Sequence, residues 1–184
     1  MENTQTLTAL LVIDMQEAVL AGCADVEGVV TRINDLLGRA RKTGTAIVFI
    51  QHGELDDPEL SPGSPGWQLI GTLDRREGDT VVAKCYRDSF AETSLVTELA
   101  KSGARRLVVT GAHSDFCVQT AVLSAAMRGY DVTLVRDAHT TTSAVLGEAD
   151  IPAEAVVAFV NRRVETLRYP GRSIEVVLAA EVTI

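Results

Sequence analysis

The stretch Arg105–Asp137, RRLVVTGAHSDFCVQTAVLSAAMRGYDVTLVRD, decides the fold. It opens on the apolar run Leu107, Val108, Val109 and breaks at Gly111. It resumes as a helix from about Asp115 and ends, after Gly129 and Tyr130, in a second apolar run, Val132–Val135. Strand, tight turn, helix and strand make one βαβ unit. The helix carries Val118, Ala121, Val122, Ala125 and Ala126, small side chains that allow close packing on a sheet. Cys117 stands where that helix begins, just past the C-terminal end of a strand, where open α/β sheets place their chemistry. A helix N-terminus offers free N–H groups and partial positive charge, which favour a thiolate over a thiol. Cys117 is therefore the leading candidate nucleophile.

Working outward, the same alternation recurs. Leu7–Ile13 (LTALLVI) is nearly continuous in apolar residues, as expected of a strand buried on both faces, and stops at Asp14. Asp25 has the position of a helix N-cap, with Val26, Val29, Val30, Ile33, Leu36, Leu37 and Ala40 on one stripe and Gly44 placed to end the helix. Thr45–Ile50 predicts a second buried strand, and Thr80–Ala83 a third, ending at Lys84. A helix is expected over Glu92–Ser102, another from about Pro152 to Val164, and a last strand near Ile174–Leu178. Two segments predict loops: Gln51–Asp79, with Pro58, Pro62 and Pro65, and the polar run after Asp137. A loop as long as the first is functional or disordered as a rule, and Trp67 within it points to a segment folded onto the body. The expected class is α/β, a three-layer αβα domain over residues 1–184 with a mostly parallel central sheet.

Composition narrows the function classes. With 46 % hydrophobic and 23 % charged residues, the 184-residue chain is globular in character. No apolar run approaches the roughly 20 residues that span a bilayer. The opening MENTQTLT lacks a basic region, so no signal peptide is expected. Three irregularly spaced cysteines argue against a disulfide framework and suit a reducing cytoplasm. A net charge of −8 disfavours nucleic acid or an acidic membrane as partner and does not exclude an anionic substrate, because a local site can differ from the average.

Asp14, Lys84 and the Gly111–Cys117 turn each end a different buried strand. The C-terminal ends of parallel strands share one edge of the sheet, so residues far apart in sequence can meet there. A carboxylate beside a thiol can take its proton and return it to a leaving group, and a lysine beside both would hold the carboxylate charged. That set suits acyl transfer through a thioester. Singly, each residue has a plain alternative: a buried cysteine as a small hydrophobe, a strand-end cap, a surface charge.

The segments LLVIDMQ, VVAKCYRDSFAETSL and VVTGAHSDFCVQTAVLSAAMRGYDVTLVRDAHTT, in that order, resemble the isochorismatase-like cysteine hydrolases over about Leu7–Thr142. The resemblance implies a catalytic triad of Asp14, Lys84 and Cys117. It implies an oxyanion hole made by the backbone N–H groups of His113 and Cys117, and a non-proline cis peptide at Ala112–His113. It further implies hydrolysis of a small amide, ureide or carbamoyl compound, in a homo-oligomer of two or four chains. Metal-binding relatives carry an Asp-x-His motif after the second strand, whereas here Gln51 precedes a lone His52. No metal and no cofactor are therefore expected, and nicotinamide is disfavoured. Relatives that cleave a vinyl ether lack the nucleophilic cysteine, so that activity stays an alternative only. So does a catalytically idle binding or assembly module. A redox thiol protein would want a C-x-x-C motif, which the chain lacks.

Candidate substrate contacts are Gln51, His52, Trp67, Tyr86, Phe90 and Phe116, with core packing the alternative for each aromatic ring. His113 offers a rival scheme as a base for Cys117. Arg87 is expected to hold an anionic group or a surface ion pair. His139 is expected in a loop or at a sheet edge, and Cys23 and Cys85 in structural packing.

Overall fold

Residues 7–184 are described by a computed structural model of the chain. β1 (Thr8–Ile13) is the strand the sheet is built around. Ala9 to Ile13 are all fully buried, because side chains alternate across the sheet and both faces are covered. Ala9, Leu11 and Ile13 enter one core, Leu10 and Val12 the other.

α1 (Val26–Thr43) covers the second face with Val29, Ile33, Leu36 and Leu37, and ends at Gly44, whose φ of 74° closes the helix as expected. Asp25 lies at the helix start but makes no capping bond; its carboxylate pairs with Arg32 at 2.5 Å instead. β2 (Ala46–His52) and β3 (Thr80–Lys84) follow. α2 (Leu95–Ser102) is three residues shorter than the sequence predicts. Glu92 takes a left-handed φ of 53° and the Thr93 hydroxyl accepts the Leu95 N–H, so the first turn is capped only there.

β4 (Arg106–Ala112), α3 (Gln119–Met127) and β5 (Asp131–Thr140) form the expected βαβ unit. β5 extends past the apolar run into what sequence predicts as a polar loop. Its register with β4 skips from Val109–Leu134 to Gly111–His139, so the chain bulges and pairs again. A short hairpin, β6 (Ala144–Leu146) and β7 (Ala149–Ile151), occupies the rest of that segment. α4 (Ala153–Glu165) and β8 (Ile174–Val177) complete the order.

The six long strands are all parallel, in the order β3-β2-β1-β4-β5-β8. α2, α3 and α4 pack on the face opposite α1, giving the αβα layers. Burying each Leu, Ile or Phe of these cores is worth about 1.5–3 kcal/mol. Among the described residues no helix is long and apolar enough to cross a membrane.

Candidate active site

β3, β2, β1 and β4 end on one edge of the sheet, with Lys84 the last residue of β3, Asp14 the first past β1, and Cys117 in the turn that follows β4. Asp14 turns out of β1 with φ 48°, its N–H donating to the Ile50 carbonyl at 3.0 Å. Gly111 (φ 118°) lets β4 pass against β1, since a Cβ there would lie 2.1 Å from the Ile13 carbonyl oxygen. The Ala112–His113 peptide is cis. The chain then makes one π-helical turn, Ser114–Val118, before α3. That turn aims Cys117 back at the strand ends.

Lys84 Nζ lies 2.6 Å from Asp14 Oδ2, 3.3 Å from Cys117 Sγ and 3.2 Å from His52 Nδ1. An ammonium has three N–H donors, and each has an acceptor here. Asp14 and Lys84 are 1 % and 2 % exposed, so each charge depends on the other. Asp14 Oδ1, also buried, has no hydrogen-bond partner among the described residues.

Burial pushes the Cys117 thiol up to about 12; the Asp14 carboxylate adds to this and Lys84 opposes it. The thiolate expected from the helix terminus is therefore corrected. Removal from water outweighs the local positive charge, and the resting sulfur is protonated. Burial, then the positive charge of Lys84, pulls the His52 pKa below its usual range. His52 Nδ1 must accept from Lys84, which puts the ring proton on Nε2, facing Glu54 at 3.7 Å.

A cavity of about 290 Å³ opens onto Asp14, His52 and Cys117. Val19, Leu60 and Phe116 give it apolar walls, while Glu54 and Arg87 stand at its charged side. The Arg87 guanidinium sits 4.0 Å above the Phe116 ring, a cation–π contact in place of the expected surface ion pair. A larger cavity, about 520 Å³, lies between α1 and α4, where Arg32 pairs with Asp25 and Arg136 with Glu165. Size alone does not mark the reactive place.

Of the six expected substrate contacts, only His52 and Phe116 line the reactive cavity. Gln51 donates its amide to the Trp67 carbonyl at 2.9 Å, and Gln16 ties the His52 and Trp67 backbones together. Gln51 and Trp67 thus fasten the long loop to β2 and lie outside the lining of this cavity. Tyr86 is exposed outside the cavity, and Phe90 is buried in the core, stacked on Tyr130 at 6.0 Å. His113 gives its Nε2–H to the Val19 carbonyl at 2.6 Å and stacks on Phe116, so its ring is held away from a role as base for the thiol. Cys85 is exposed, not packed. Glu54, which sequence reasoning missed, lies two residues beyond His52, the spacing that keeps side chains on one face of an extended chain.

A family model described as an isochorismatase domain matches residues 8–158. A streptothricin hydrolase of Streptomyces noursei is 36 % identical over 79 % of this chain and 56 % of its own length. A ureidoacrylate amidohydrolase of Pseudomonas savastanoi pv. phaseolicola is 30 % identical over 62 % of this chain and 63 % of its own. The chain spans about half the length of the streptothricin hydrolases it matches, 56 % and 51 %. Among solved structures, an isochorismatase from Pseudomonas putida KT2440 superposes with a TM-score of 0.84 at 29 % identity, covering 96 % of this chain and 90 % of that one.

Proposed function

The chain belongs to the isochorismatase family, and on that premise we propose that it hydrolyses a carbon–nitrogen bond of a small amide, ureide or carbamoyl compound through a thioester on Cys117. The observation that carries the reading is the unpartnered Asp14 Oδ1, buried in a cavity wall beside a protonated thiol while Oδ2 is held by Lys84. A base must have a free lone pair, and this carboxylate keeps one.

In the proposed reaction Asp14 takes the thiol proton as Sγ bonds to the substrate carbonyl carbon. Lys84, 3.3 Å from Sγ, stabilises the sulfur as negative charge appears. The carbonyl oxygen becomes an oxyanion received by the N–H groups of His113 and Cys117. On collapse the C–N bond breaks and the leaving nitrogen takes the proton from Asp14. Water then gives Asp14 a proton and attacks the thioester carbon. The acid departs and Asp14 returns the proton to sulfur.

No metal or cofactor takes part in this scheme. His52, at the end of β2, has its Nδ1 lone pair engaged by the Lys84 ammonium, which suits an ion-pair cluster better than a metal ligand. The names streptothricin hydrolase and ureidoacrylate amidohydrolase, borne by relatives, support hydrolysis of this bond class. A cavity of about 290 Å³ suits a small substrate.

Intact mass after exposure to a panel of small amides and ureides tests the proposal, with Cys117→Ala, Cys117→Ser and Asp14→Asn alongside. An acyl adduct on Cys117 with release of ammonia or an amine, both lost in the alanine variant, is expected. No adduct and no turnover across the panel would remove the nucleophile and favour a binding module.

A further inference from the structure

Behind the Cys117 turn lies a second polar cluster that the proposed reaction does not use. Ser114 Oγ lies 2.7 Å from His139 Nδ1, and His139 Nε2 lies 3.1 Å from Asn161 Oδ1. Asn161 Nδ2 lies 3.0 Å from the Arg136 carbonyl oxygen. These three side chains are 0 %, 2 % and 4 % exposed. We propose that Ser114, His139 and Asn161 form a one-way hydrogen-bond chain that positions the Cys117 turn.

Its direction follows from donors and acceptors together with the burial of the ring. The Arg136 carbonyl only accepts, so the Asn161 amide nitrogen faces it and Oδ1 faces the imidazole. His139 must then donate from Nε2, and because burial holds its pKa down to about 4 the ring carries no second proton, which leaves Nδ1 as an acceptor. Ser114 must donate to Nδ1. The neutral imidazole is therefore locked as the Nε2–H tautomer.

Each link comes from a different element, which is why the chain can fix the turn. The bulge in β5 sets His139 opposite Gly111, within reach of the first residue of the π-helical turn. α4 supplies Asn161 from outside. A second tether joins the residue just past that strand to the same turn, as the Thr141 hydroxyl donates to Asp115 Oδ1 at 2.7 Å. The turn that presents Cys117 is thus held from behind by β5 and α4. Ser114 and His139 are positioning residues, acting through the backbone that carries the sulfur. The catalytic meaning of this rests on Cys117 being the nucleophile; the structural claim does not.

The test follows the Cys117 thiol and needs no substrate. Alkylation of Cys117 by iodoacetamide is measured against pH, resolved from Cys23 and Cys85 by peptide mass spectrometry. Wild type is compared with Ser114→Ala, His139→Phe and the double variant. With the turn released, the thiol relaxes toward its ordinary range, and each single variant is expected to react at least about fivefold faster at pH 8. Because both remove one link, the double variant should react no faster than the faster single. Folded variants within twofold of wild type, or single effects that multiply in the double, overturn the proposal. Should the variants not fold, long-range nitrogen–proton NMR on the wild type decides: the Nε2–H tautomer of His139 is expected, and the Nδ1–H tautomer or an imidazolium at pH 7 overturns it. Failure of every amide to react, with the alkylation pattern intact, would remove the hydrolase reading and leave the chain standing.

Discussion

Two buried polar clusters flank Cys117, and they are built on opposite terms. Behind the turn, Ser114, His139 and Asn161 satisfy one another and end on a backbone carbonyl. In front, Asp14, Lys84 and His52 share an ammonium but leave Asp14 Oδ1 without a partner, and they open on a cavity. A buried polar group with no partner is costly, on the order of 1–3 kcal/mol, and a fold that only sought stability would close it. The satisfied cluster resists change and the unsatisfied one invites it. On that contrast we assign support to the first and proton transfer to the second.

Removing the free carboxylate oxygen should have the largest effect. Asp14→Asn is expected to lower turnover of a reactive amide by roughly a thousandfold, the scale of a lost general base. The same change removes a charge that raises the thiol pKa, so Cys117 should fall below about 12 and alkylate faster at fixed pH. Turnover and alkylation moving in opposite directions is the signature; both falling together would break the contrast. Lys84→Met leaves a buried carboxylate without its cation and should cost about 3–5 kcal/mol in urea denaturation. A loss under about 1 kcal/mol would mean that the front cluster is not held by that pair.

The rear cluster makes its own prediction through pH. The folded pKa of His139 lies near 4, below its ordinary 6.5. Between those values the unfolded chain binds a proton that the folded chain does not. Stability from this group is therefore complete above about pH 6.5 and falls as the pH drops toward 4, by about 3 kcal/mol at the lower end. Urea midpoints at pH 7 and pH 4 should differ more in wild type than in His139→Phe; equal differences would place the histidine in contact with water. The smallest effect is expected at the cavity mouth. Arg87 rests on the Phe116 ring with its charge toward solvent. Arg87→Ala should leave the urea midpoint within about 0.5 kcal/mol and raise KM a few-fold with kcat unchanged. A loss in kcat would move Arg87 into the reacting geometry.

The aromatic residues show where sequence reasoning stops. Phe90 and Phe116 both follow strand ends in segments that carry the family resemblance, yet one is core and the other is wall. What separates them is the partner each ring meets, Tyr130 for one and Arg87 with His113 for the other. Tyr130 and Arg87 are far in sequence from the rings they meet, and no period marks them. Gln51 and Trp67 differ from expectation for a related reason: their polar groups are consumed in fastening the long loop to β2.

By itself the sequence determined the α/β alternation, the buried strands, the strand ends at Asp14 and Lys84, and the turn that carries Cys117. Those features are local, since apolar runs, glycine breaks and polar stops are written in consecutive residues, and a parallel sheet puts its strand ends on one edge. Only the tertiary structure decided the protonation of Cys117, because burial there outweighs the charges beside it. Only it made His139 a buried link instead of an edge residue, through the bulge in β5 that slides its ring behind the turn. Side-chain direction and dielectric depend on what packs from other parts of the chain, and no window of consecutive residues contains that information.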